Sequence, residues 1–115
     1  MSETFTPDKL IAGDYPIVTD IVTIDTGALT RGAVLGKITA SGKYVLCNSA
    51  GTDDGSRTPV AVLAEDADAT SADVQATVYL SGSFNAAACT FGGTDTAATH
   101  RAALRDVNIY LKTVA

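Results

Sequence analysis

The sequence predicts a mainly β protein: a small body of short strands, one short helix near the C-terminus and an extended N-terminal arm. Three observations carry this. The apolar stretches are short, rich in β-branched residues and separated by Gly, Ser and Asp turn chemistry. One of them, VQATVYL at residues 74–80, alternates apolar and polar positions as a half-buried strand does. A single segment, ATHRAALRD, has the composition of a helix.

Residues 1–16, MSETFTPDKLIAGDYP, show neither helical nor strand periodicity, and Pro7 and Pro16 remove backbone donors. They are read as a flexible arm, leaving residues 17–115 as the folded domain. IVTDIVTI at 17–24 is β-branched everywhere but Asp20 and leads into the body as extended chain. TGALTRG at 26–32 reads as a turn. AVLGKI at 33–38, SGK at 41–43 and YVLC at 44–47 read as strand, tight turn and strand. NSAGTDDGSRT at 48–58 is an exposed polar loop, after which PVAVLA at 59–64 returns to the core. AVLG at 33–36 and AVLA at 61–64 echo each other as two similar core strands. EDADATSAD at 65–73 reads as an acidic turn, and Ser81-Gly82 as a second turn closing the strand at 74–80. Thr94 or Asp95 is expected to cap a helix running to Asp106, with Ala97, Arg101 and Leu104 on one face. VNIYLK at 107–112 closes the chain as a strand.

Composition bounds what this body can do. At 115 residues the chain has room for one domain and one core. Its 46% hydrophobic share is built on Ala and Val, with four Tyr, three Phe and no Trp, so each buried side chain removes little apolar area and association would help stability. Thirteen acidic against eight basic residues give a net charge of -5, which repels phosphate and excludes nucleic acid as a partner. No segment reads as a secretory leader or a membrane span, so synthesis in a cytoplasm and no membrane partner are expected. Cys47 and Cys89 match no zinc spacing and are expected as reduced, mostly buried residues, with a disulfide between them as the alternative.

Residues able to carry chemistry are few. The sole histidine, His100, has no nucleophile motif to serve and reads as an ordinary helix-surface or half-buried residue. The carboxylates Asp53, Asp54, Glu65, Asp66, Asp68 and Asp73 lack the spacing of a calcium loop and read as solvated acidic loops. Gly92-Gly93 lacks the continuation of a phosphate cradle. No enzymatic activity, metal or cofactor is expected, and function is sought in surfaces.

The order and spacing of several stretches resemble the lambda-type bacteriophage head decoration proteins, the capsid stabilising or cement family. SETFT at 2–6 is similar to the start of that family's arm, and GALTRGAVLGKIT at 27–39 to its first body hairpin. DGSRTPVAVLAEDADAT at 54–70, VYLSGSFNAAAC at 78–89 and RAALRDVNIYLK at 101–112 complete the likeness over nearly the whole chain.

The resemblance implies a β-clip-like fold, a homotrimer, and attachment to the outside of an expanded phage head at local three-fold positions between major capsid proteins. The capsid-binding arm would then comprise Ser2, Glu3, Thr4, Phe5, Thr6, Tyr15, Ile17 and Val18, adding an extended strand to the capsid while side chains such as Phe5 fill pockets. The alternative is a small β module, displayed on a virion or cytoplasmic, that recognises a carbohydrate or protein ligand. Its scattered tyrosines, Tyr15, Tyr44, Tyr79 and Tyr110, make a poor sugar platform.

Overall fold

The β-branched segment after Pro16 forms β1 (Val18–Ile24) in the computed structural model, which describes residues 11 and 16–112. Then follow β2 (Gly27–Leu29), β3 (Val34–Lys37), β4 (Tyr44–Leu46), β5 (Pro59–Leu63), β6 (Ala67–Ala69), β7 (Val74–Asn85), a single 3-10 turn at Ala86–Ala88, α1 (Ala97–Asp106) and β8 (Ile109–Lys112). The mainly β class with one helix near the C-terminus is as expected.

Strand pairing closes on itself. β1 runs antiparallel to β7, with Ile21 opposite Thr77 and Ile24 opposite Val74. β7 pairs with β5, β5 with β3 and β3 with β4, all antiparallel. β4 returns to β1 in parallel through the single pair Ile24 and Tyr44, where the Asp25 N–H also donates to the Tyr44 carbonyl at 2.9 Å. The five strands make a small barrel, a closure that removes most free sheet edges. β8 lies parallel to the far half of β7, Gly82 opposite Ile109.

Two apolar clusters explain why the central strands are apolar runs without alternation. Ile24, Leu35, Ala61, Leu63, Ala76 and Val78 fill the barrel. Val34, Val62, Tyr79, Phe84, Leu104 and Ile109 pack on its outside, beneath α1 and β8. Adjacent residues of β3 and β5 thus enter different clusters, so both faces of these strands are buried, and a strand covered on both faces reads as continuous apolar sequence. The echoing AVLG and AVLA are neighbours in this layer, with Leu35 opposite Ala61 and Val34 opposite Val62.

Five local expectations are corrected. The turn expected at 26–32 holds β2, and the acidic turn expected at 65–73 holds β6; the two pair as a separate ribbon, Ala28 opposite Asp68. Ala67 and Ala69 are buried while Asp68 points out, an alternation too short and too poor in β-formers to announce itself. Ser81-Gly82 does not turn the chain: β7 continues through it for twelve residues, Gly82 taking φ 146. The helix is capped by Thr96, whose N–H donates to Thr99 Oγ1 at 3.0 Å. Asp95, expected as a cap, is engaged elsewhere. Finally β8 begins at Ile109, because Asn108 adopts φ 66 and turns the chain out of the helix.

Candidate interaction site

β1 places no residue in the layer beneath α1 and β8, so its outward face lacks that cover. Its inward residue Ile24 is fully buried, whereas Ile21 on the opposite face is 64% exposed and Val18, at the start of the strand, is 52% exposed. Ile17, immediately before the strand, is 39% exposed, and Ile11 is 38% exposed while bridging to Phe84 on β7. These four are the large exposed apolar side chains among the described residues, and all lie within one short stretch of sequence. Scattered exposed apolar residues need no explanation, but a concentration on one strand marks a contact surface.

The strand's backbone is also partly open. Facing β4, β1 is paired at Ile24 alone. The Ile21 N–H donates to the Asp20 carboxylate at 2.8 Å. A charged side chain bound to a strand's own backbone in this way guards an edge against indiscriminate pairing. Burial, with the nearby Asp20 charge, raises the Tyr44 hydroxyl above its ordinary pKa.

Of the residues expected to form the arm's contacts, Ile17 and Val18 fall in this surface. Ser2, Glu3, Thr4, Phe5, Thr6 and Tyr15 lie outside the described residues. Ile11 and Ile21 belong to the same exposed stretch and were not singled out from sequence. The signal for Ile21 was the β-branched run at 17–24, whose imperfect alternation did not say which face would be left uncovered; Ile11 lies in a segment without periodicity and gave none.

Among the described residues, the constellation nearest to a catalytic one has the geometry of a structural network. His100 is buried, neither on the helix surface nor half-buried as expected: its Nε2 lies 2.7 Å from Asp95 Oδ2, and its ring stacks on Phe91. Asp95 in turn accepts from the Ser49 amide at 2.7 Å and the Ser49 hydroxyl at 2.6 Å. These bonds tie the 48–58 loop to the start of α1. Cys47 Sγ is 3.9 Å from the same Nε2. A nucleophile–His–acid relay needs the two partners on opposite ring nitrogens, and here one nitrogen faces both. Burial, then the Asp95 charge, pushes the Cys47 thiol up to about 12, and burial pushes Cys89 up to about 11, so neither forms a thiolate near neutrality. Both cysteines are free, Cys47 buried and Cys89 half-buried.

Among the described residues no group of three or more His, Cys, Asp or Glu could hold a metal ion, and no helix is long and apolar enough to cross a membrane. A hollow of about 260 Å³ beside the 48–58 loop is lined by side chains such as Asp25, Thr26, Asn48 and Asp54 and by no aromatic ring, so it lacks a stacking platform for a sugar.

A comparison with curated proteins gives no match. The family model described as bacteriophage lambda head decoration protein D matches residues 2–109, nearly the entire chain. That span takes in the exposed apolar stretch, the barrel and α1, and with it the chain belongs to the phage head decoration protein family, structural proteins of the virion capsid.

Proposed function

We propose that this chain is a cement protein: it binds as a homotrimer to the outer surface of the expanded head, at local three-fold sites between major capsid proteins, and stabilises the shell against the pressure of packaged DNA. The observation that carries this reading is the cluster of exposed Ile11, Ile17, Val18 and Ile21 at and before β1, in a member of a head decoration family. Residues 1–16 act as the arm. Ser2, Glu3, Thr4, Phe5, Thr6 and Tyr15, together with Ile17 and Val18, supply its contacts.

The physics favours this division of labour. An extended segment meets its partner through backbone hydrogen bonds and alternate side chains. Ordering such a segment costs conformational entropy, so one arm alone binds weakly. Three arms on one body raise apparent affinity by roughly 10²–10⁴ when their geometry matches the lattice. The acidic charge of the chain is no handicap on an outer surface that does not touch DNA.

The test removes residues 1–16 and mixes the remainder with expanded capsids that lack decoration. Binding and protection of the shell against heat are expected to disappear. Binding equal to that of the full chain would overturn the arm reading.

A further inference from the structure

The arm's root is held by a seat on β7. We infer that Ser81 and Gly82 form a positioning device that fixes residues 16–18 and so holds Ile17 and Val18, at the root of the arm, ready for the capsid; this rests on the capsid-binding reading of the arm.

Three contacts converge on one tripeptide. The Ser81 hydroxyl accepts from the Val18 N–H at 3.2 Å and donates to the Pro16 carbonyl at 2.9 Å, gripping the backbone on either side of Ile17. Ile17 itself lies over the bare Cα of Gly82. A Cβ built there would stand 3.2 Å from Ile17 Cγ1 and 2.8 Å from the Phe84 ring, and φ 146 is a backbone state that other residues rarely adopt. The register of β1 against β7 shifts at this point, Val18 facing Ser81 but Thr19 facing Tyr79, so Leu80 is the extra residue of a bulge. Bulges re-aim a strand where function needs it.

This arrangement also accounts for the failure of the turn expected at Ser81-Gly82. Both residues suit a turn, and here the same properties, a short hydroxyl and a missing side chain, serve a different segment. The strand goes straight on, and the incoming chain is received against it. Ile17 and Val18 stay exposed on their outer side while their backbone is held. Residues immobilised before binding need not be ordered at binding, so the seat preorganises the arm's root.

The experiment compares Ser81→Ala and Ser81→Thr in the full chain. In Ser81→Ala the Val18 amide is expected to exchange with solvent at least about tenfold faster, since its hydrogen bond is gone. Affinity for decoration-free expanded capsids is expected to fall about tenfold per arm, while the urea midpoint of the body hardly moves. Ser81→Thr, which keeps the hydroxyl, should restore both.

Unchanged Val18 exchange in Ser81→Ala would overturn the seat, and faster exchange with full capsid affinity would overturn its positioning role. Should Ser81→Ala disturb the body, near-isosteric Ser81→Cys, a weak hydrogen-bonding group, puts the same question. If the chain lacking residues 1–16 still binds capsids, the arm reading fails instead, whatever Ser81 does.

Discussion

Asp95 illustrates how one side chain can secure a loop without chemistry. The Ser49 hydroxyl and amide, and then His100, hold its carboxyl down to about 2, below the roughly 3.9 of an unfolded chain. A depressed carboxylate contributes stability that is full above about pH 4 and is lost as pH falls toward 2. Urea midpoints should therefore drop as pH falls from 5 to 2.5, and Asp95→Asn should flatten that dependence; an equal slope in the variant would remove Asp95 from the explanation. The helical face read from sequence, Ala97, Arg101 and Leu104, also carries His100, but its buried partner was not legible, because Asp95 lies before the helix and is held by Ser49, 46 positions away. Gly36 offers a second case. Its backbone lies so close to the 48–58 loop that an added Cβ would sit 2.1 Å from the Ser56 carbonyl oxygen, with backbone atoms that cannot step aside. Gly36→Ala should cost more than about 3 kcal/mol in chemical denaturation, or fail to fold.

Along β1 a few residues separate core from surface. Ile24→Ala should destabilise by about 2–5 kcal/mol, because Ile24 is fully buried in the barrel. Ile21→Ser should change stability by less than about 0.5 kcal/mol yet weaken capsid binding, because Ile21 touches solvent. Paired denaturation and capsid-binding curves separate the two effects. The long apolar and alternating strands were legible in the sequence because burial imprints itself on several residues at once, as in VQATVYL and PVAVL. β2 and β6 were not: three residues each, one carrying Gly and the other Asp, hold too few positions to express a period. The candidate surface was half legible. Ile17 and Val18 were named from sequence, but Ile21 became recognisable only once α1 and β8 were seen to cover other strands and not β1.

At the scale of the molecule, the barrel is a platform and the proposed trimer multiplies it. Light scattering should give a mass three times the 11.7 kDa of one chain; a single-chain mass would overturn the trimer and with it the gain from joined arms. The way β1 is fastened also decides how the platform bears a load. Seven antiparallel pairs, interrupted once by the bulge at Leu80, bind it to β7 from Val18 to Ile24, against a single pair to β4. A pull on the arm along the strand axis is thus met by β7 in shear, so the ladder's bonds share the tension and must yield together. The weak seam at Tyr44 lies at the far end of the strand, at Ile24, away from where the tension enters. A swelling shell that drags on the arms would stretch a clamp before it could open a zip.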